Sequence, residues 1–253
     1  MCKISQCFAS KMKLNLQLVL NSNNTSFTLA TKSIEQTSSV WAHEYAHNLF
    51  ENEIRQQFGE EITNILKAHL SKYHELFADL IPVLWSNKGD VISTLLTTDD
   101  DMIKNLDHKK FAEDSWKEIE DTIAKKNKNI QKRNFLIEHT VPAYPDRGDM
   151  NGLVNYIDGN YSEPHQALSP TRSFIGKLLP SIKTENDKKQ LIKTVKDAII
   201  QEVQEEALIL QKMQSGDTSD SLSEKYLQVI EKQEDIKRCN DDLIKRIKQS
   251  LLK

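Results

Sequence analysis

Residues 40–80 read VWAHEYAHNLFENEIRQQFGEEITNILKAHLSKYHELFADL, with Gly59 between two helical patterns. Apolar residues recur every three or four positions on both sides of this glycine, as in helices that bury one face. We predict a first helix over about residues 34–58 and a second over about 60–81, ending near Pro82. The apolar stripe of the second helix consists of Ile62, Leu66, Leu70, Tyr73, Phe77 and Leu80. The first is apolar around most of its circumference, so we expect it to be mostly buried.

The first helical pattern contains H-E-x-x-H, formed by His43, Glu44 and His47. Residues four apart lie on one face of a helix, so both imidazoles can reach a single ion. Glu44 projects about 100° away from His43, which leaves its carboxylate free to hold a water molecule. A catalytic zinc needs nitrogen or oxygen ligands, an open coordination position and a base for the water's proton. The motif supplies two ligands and the base, and the alternative is a pair of ordinary helix histidines.

The second helical pattern places Glu75 and Asp79 four residues apart on one face. Glu75 is the candidate third zinc ligand, and Asp79 could accept the free N–H of a zinc-bound imidazole and fix its tautomer. His74 and His69 are rival third ligands, and a site of three histidines would indicate a different kind of enzyme. Both carboxylates point away from the centre of the apolar stripe, which leaves open whether they face solvent or the first helix.

H-E-x-x-H followed by E-x-x-x-D on a later helix resembles the gluzincin class of zinc metallopeptidases. The likeness covers about a fifth of the chain and identifies no family within the class. It implies that His43, His47 and Glu75 bind one Zn²⁺ per chain. It also implies that Glu44 is the general base and that Asp79 orients a ligating histidine. The expected fold is zincin-like, with an edge strand lining the substrate cleft.

Residues 140–180 contain five of the 6 prolines of the chain and are predicted to form a loop-rich segment at the cleft. Metallopeptidases stabilise the oxyanion of the tetrahedral intermediate with a donor, commonly a histidine or tyrosine from a later segment. His165 is the first candidate for this donor and Tyr161 the second, while Arg172 could bind a substrate carboxylate. The alternative is that His165 and Arg172 only tie the segment down by hydrogen bonds.

The two ends of the chain carry different patterns. Polar and apolar residues alternate over residues 11–20 and 26–31, on either side of a turn-forming sequence, which predicts a β-hairpin with one buried face. Residues 185–213 and 222–252 form two long helical patterns joined by a Ser- and Asp-rich linker. These two patterns predict an antiparallel helical hairpin.

The expected fold class is therefore mainly α with a small N-terminal β-hairpin or sheet, α+β and zincin-like, plus a C-terminal helical hairpin. Residues 1–180 would form a zincin-like metallopeptidase domain, and residues 181–253 the C-terminal antiparallel helical hairpin. This hairpin is expected to pack within the monomer, and the alternative is that it offers a partner or dimer surface.

Composition sets limits on partners and location. The net charge of −3 gives no electrostatic reason to expect a nucleic-acid partner. The basic run at residues 125–133 is interpreted as a solvated helix face. No run approaches the roughly 18 apolar residues of a membrane span, and no signal-peptide core is seen. The 3 cysteines suggest free thiols in a reducing compartment. We expect a cytoplasmic location by default, or secretion if the chain is a processed form.

The sequence thus predicts a zinc-dependent metallopeptidase that hydrolyses a peptide or protein substrate through a metal-activated water, with Glu44 as general base. Two alternatives stay open. One is a zinc hydrolase that does not cut peptides, because H-E-x-x-H specifies a hydrated metal more firmly than a substrate. The other is a helical interaction or scaffold protein with a structural or degenerate metal site.

Overall fold

The computed structural model describes residues 14–20, 25–32, 34–97, 113–146, 148–217 and 219–251. Two strands, β1 (Leu14–Leu20) and β2 (Thr25–Lys32), pair antiparallel with each other. The helices are α1 (Ile34–Phe58), α2 (Glu60–Ser86), α3 (Val91–Leu96), α4 (Glu113–Gln131), α5 (Met150–Asp158), α6 (Pro164–Ala167), α7 (Ser169–Leu178), α8 (Glu185–Gln214), α9 (Asp220–Glu234) and α10 (Ile236–Leu251). A single 3₁₀ turn, Leu179–Ser181, follows α7.

The predicted α+β, zincin-like fold class is wrong. From residue 34 onward, helices make up about 81% of the described residues, and the rest are turns and irregular segments without a strand. Alternation of polar and apolar residues is a local signal, and two strands alone do not form the sheet layer of an α+β fold. The fold class is therefore all-helical.

α1 and α2 form the central helix pair, joined by Gly59 alone. Gly59 has φ of 84°, a left-handed conformation that residues with a side chain rarely adopt. The hydroxyl of Thr63 donates to the carbonyl of Gly59 over 2.7 Å and supports the first turn of α2. Because the chain reverses within one residue, α2 runs back along α1 and both bury their apolar stripes in one core.

The core lies on both sides of α2. α1 packs on one side of this helix, α8 on another, and the short helix α6 contacts it near its C-terminal half. α10 packs against α8. Fully buried members of the core from these helices are Phe50, Ile54, Leu66, Tyr73, Leu76, Val195, Ile199, Leu243 and Ile247. No helix in the described part of the chain is long and apolar enough to span a bilayer.

The prolines act differently from the sequence prediction. α2 continues through Pro82 to Ser86, because Val83 and Leu84 are buried and their packing outweighs one lost hydrogen bond. The segment 140–180, predicted to be loop-rich, contains three short helices. Pro164 in α6 and Pro170 in α7 each lie in the first turn of their helix, where a missing N–H costs nothing.

The first arm of the predicted C-terminal hairpin corresponds to the 30-residue helix α8. The second arm is divided into α9 and α10 at Asp235, which has an extended conformation. The break lets α10 contact α7 as well as α8.

Gly176 of α7 fixes how closely this helix approaches the segment after α4. A Cβ at this position would lie 1.7 Å from the backbone carbonyl oxygen of Phe135. The hydroxyl of Ser173 donates to the carbonyl of Ile137 over 2.7 Å in the same contact. These contacts hold α7 against the segment that follows α4. Each of the two contributes an arginine to the site described below.

Gly176→Ala is expected to destabilise the fold by about 1–3 kcal/mol or more, because the new methyl group meets backbone that cannot move aside cheaply. The measurement is the urea midpoint by circular dichroism, with Lys177→Ala as control. Lys177 forms an exposed ion pair with Glu138, so its loss should cost less than about 1 kcal/mol. Equal midpoints for Gly176→Ala and the wild type would contradict this close packing.

Candidate metal centre

Two histidines of α1 and one glutamate of α2 converge where the helices face each other. Nε2 of His43 lies 3.1 Å from Nε2 of His47. Nε2 of His43 is 3.6 Å from Oε2 of Glu75, and Nε2 of His47 is 3.5 Å from Oε1 of the same carboxylate. His43 and Glu75 both stand 16 residues from Gly59, so each rises about 24 Å from the turn and they meet across the pair.

The donor atoms are close enough together to share one ion. One donor atom from each of the three residues lies within 4.8 Å of the others. Zinc bonds of 2.0–2.2 Å at tetrahedral angles separate ligand atoms by about 3.3–3.6 Å, so small side-chain adjustments would suffice for a zinc ion. Oε2 of Glu75 is buried and accepts no hydrogen bond from the described residues. Two imidazole nitrogens with one carboxylate oxygen form a His₂Glu donor set of the kind that catalytic zinc uses. His43, His47 and Glu75 could therefore hold a metal ion.

His43 is oriented from behind by Asp79. Nδ1 of His43 lies 3.1 Å from Oδ1 of Asp79, on the side of the ring away from the cluster. A proton on Nδ1 leaves the lone pair of Nε2 directed toward His47 and Glu75. The sequence predicts that Asp79 orients a zinc-bound imidazole, and the structure places its carboxylate against Nδ1 of His43.

Two arginines bind the same carboxylate. Arg133, just beyond α4, donates to both oxygens of Asp79 over 2.6 and 3.1 Å. Arg172 of α7 donates to Oδ2 over 2.9 Å. Burial alone would favour the neutral acid, but these two guanidinium groups hold the pKa of Asp79 well below its usual range. Asp79 is therefore a buried carboxylate anion that joins α2, α7 and the end of α4.

The cluster borders accessible space beside His47. Glu44 is exposed, and 26% of the His47 side chain remains accessible. A cavity of about 300 Å³ reaches His47 and Glu75 and is also lined by His74. Burial lowers the pKa of His47, which keeps its imidazole neutral and able to act as a ligand. A water molecule or a substrate can therefore approach the three donor atoms from this side.

His165 of α6 approaches the cluster on the side away from the cavity beside His47. Its Nε2 lies 3.3 Å from Oε1 of Glu75. Its Nδ1 pairs with Glu163, and this hydrogen bond raises the pKa of His165. Glu163 thus holds the ring with Nε2 directed at the carboxylate of Glu75.

The other two candidates from the sequence lie elsewhere. Tyr161 packs on the ring of Tyr156, and the ammonium of Lys132 lies 4.8 Å from its centroid. Arg172 is fully buried and bound to Asp79, so its guanidinium does not face the open side. Arg172 is therefore not positioned to bind a substrate carboxylate, the role predicted from the sequence.

The rival third ligands take other positions. His74 stacks on His47 at a ring-centroid distance of 5.8 Å, and burial lowers its pKa to about 4. Nδ1 of His69 lies 2.8 Å from Oε1 of the buried Glu206. Among the described residues, only Glu75 completes a metal-binding group with His43 and His47.

Sequence reasoning missed two residues of the site, Arg133 and Glu163. Arg133 ends the basic run that was interpreted as a solvated face, yet it is 8% exposed and bound to Asp79. Glu163 precedes Pro164 in a segment that was predicted to be a loop. Their long separation from α2 in sequence gave no local signal of these contacts.

Comparison of the chain with protein-family models, with curated proteins and with solved structures finds no match.

Asp79→Ala is expected to cost about 3–5 kcal/mol of folding stability, because it leaves Arg133 and Arg172 buried without their anion. Urea denaturation measures this loss of stability. A variant that does not fold at all would show the largest possible loss. Asp241→Ala is the matched control, since Asp241 forms an exposed ion pair with Lys237. A cost below about 1 kcal/mol for Asp79→Ala would show that the buried ion pairs do not hold the site together.

Proposed function

We propose that this protein is a zinc-dependent metallopeptidase of the gluzincin type. The observation that carries the proposal is the convergence of His43, His47 and Glu75, where His47 and Glu75 line a cavity. A bound zinc would polarise the scissile carbonyl and lower the pKa of a coordinated water. The peptide or protein substrate is part of the proposal.

The donor set supports a catalytic rather than a structural site. Structural zinc is commonly enclosed by four protein ligands, usually including cysteine, whereas catalytic zinc has three and an open position. The described residues supply two imidazoles and one carboxylate here. Cys239, the one cysteine described, is buried against Gln233 in a different part of the core.

Glu44 is the proposed general base. It follows the proposed ligand His43 directly in sequence, and its side chain is exposed. From this position its carboxylate would take the proton of the attacking water and pass it to the leaving amine.

His165 is the proposed donor to the oxyanion. Glu163 accepts the Nδ1 proton and raises the pKa of His165, which favours the imidazolium form. In that form Nε2 also carries a proton, and this N–H faces the cluster, where negative charge would develop on the carbonyl oxygen. Tyr161 stays the second candidate, because its ring is packed between Tyr156 and Lys132 rather than beside Glu75.

Zinc content tests the metal proposal. Wild-type protein dialysed against metal-free buffer without chelator should retain about one zinc per chain. His43→Ala, His47→Ala and Glu75→Ala should each weaken zinc binding by more than about 100-fold, since even the outer partners of ligands contribute 10–100-fold. His139→Gln is the control, because His139 binds the carbonyl of Gln131 instead. Equal zinc contents in all variants would refute these ligands.

Glu44→Gln tests the mechanism. This variant should keep its zinc and lose roughly 10²–10⁴-fold in kcat, because it cannot accept the water's proton. The assay is cleavage of a peptide library followed by mass spectrometry. Glu53→Gln is the control, as Glu53 lies on α1 in an exposed pair with Lys196. Unchanged cleavage by Glu44→Gln contradicts the role of Glu44, and zinc binding without peptide cleavage favours a non-peptidase hydrolase.

A further inference from the structure

A second cavity opens on the His165 side of the metal centre, with a volume of about 440 Å³. One wall is a single face of α4 and its continuation, with residues spaced three or four apart. These residues are Thr122, Lys125, Lys126, Asn129, Ile130 and Arg133. The spacing makes them one stripe that runs from the outer surface to the metal centre.

The opposite wall is the turn that carries His165. It contributes Asn160, Glu163, His165 and Gln166. Two lining residues, His165 and Arg133, contact Glu75, so these two side chains connect the cavity to the proposed zinc ligands. Its outer end is open to solvent at Lys125 and Lys126, which are both exposed.

The cavity carries unneutralised positive charge. Neither Lys125 nor Lys126 forms an ion pair with another described residue, whereas Arg133 is bound to Asp79. Glu163 is the one carboxylate of the lining, and it pairs with His165. No described carboxylate neutralises the two lysine ammonium groups, so they can attract an anion into a cavity that leads to the metal centre.

We propose that this cavity binds an acidic side chain of the peptide substrate, through Lys125 and Lys126. The inference rests on the proposed peptidase function and specifies its substrate class. Lys126 stands seven residues before Arg133, which is about 10 Å along a helix. An extended peptide advances about 3.3 Å per residue, so the acidic residue would lie about two to four residues from the scissile bond.

Amide and hydroxyl groups in the lining suit such a ligand. Asn129, Asn160 and Thr122 can donate to a carboxylate beside the two ammonium groups. Lysine binds as a flexible point charge, so the cavity should accept both aspartate and glutamate. Preference for an acidic residue, rather than for one exact side chain, is the expected specificity.

The test is peptide binding to zinc-loaded Glu44→Gln protein, which needs no turnover. A fluorescein-labelled peptide that the wild type cleaves, or a library decapeptide if none is cleaved, is prepared with one Glu or one Gln at each position in turn. Fluorescence anisotropy should show about tenfold tighter binding of the Glu peptide at one of the expected positions. This preference should fall as salt concentration rises.

Charge reversal identifies the wall. In the same background, Lys125→Glu with Lys126→Glu should abolish the preference for Glu and favour a Lys peptide at that position. Lys128→Glu is the matched control, since Lys128 is exposed on α4 but does not line the cavity. It should leave the preference intact.

Equal binding of Glu and Gln peptides at every position, binding of neither, or a preference that survives the double reversal would each overturn the acidic-substrate inference. Failure of the proposed function is seen separately, as wild-type protein that neither retains zinc nor cleaves any peptide.

Discussion

The buried carboxylate of Asp79 is the constraint on which the rest of the site depends. Arg172 of α7 and Arg133, just beyond α4, donate hydrogen bonds to it, and it lies against the imidazole of His43. A buried charge without partners costs several kcal/mol, so these four elements must assemble together. The contact of Gly176 with the backbone of Phe135 supplies the close approach that brings both arginines within reach. The candidate metal centre is therefore an extension of the ion-pair core of the fold.

The residues that hold the site in place are different from those that face accessible space. Asp79 and its arginines fix His43 from the buried side, while His47, Glu44 and His165 border accessible space. Cavities of about 300 and 440 Å³ flank the cluster, one beside His47 and the other beside His165. An extended substrate could occupy both, with its scissile bond at the proposed zinc. The lysines of α4 border only the second cavity, so selection of an acidic side chain would act on one side of that bond.

The sequence predicted what depends on local spacing. H-E-x-x-H indicated His43, Glu44 and His47. Equal distances from Gly59 explain why Glu75 lies opposite them in the structure, but the sequence left open whether Glu75 faces solvent or the first helix. It failed where distant segments meet: Arg133 was interpreted as a solvated residue, since helical periodicity does not show what packs against the end of a run. The same limit applies to the N-terminal strands, because alternation predicts a strand but not a sheet for it to join. The prolines of residues 140–180 suggested loops, although proline also begins helices.

The most direct test of the account is X-ray absorption at the zinc K edge of the purified, zinc-loaded protein. The account predicts two imidazole nitrogens at about 2.0–2.1 Å, carboxylate and water oxygens at about 2.0–2.2 Å, and no sulfur. Loss of one imidazole in His43→Ala would assign the site. A sulfur-containing shell, or a spectrum unchanged by His43→Ala, would contradict the His₂Glu centre and the peptidase function built on it.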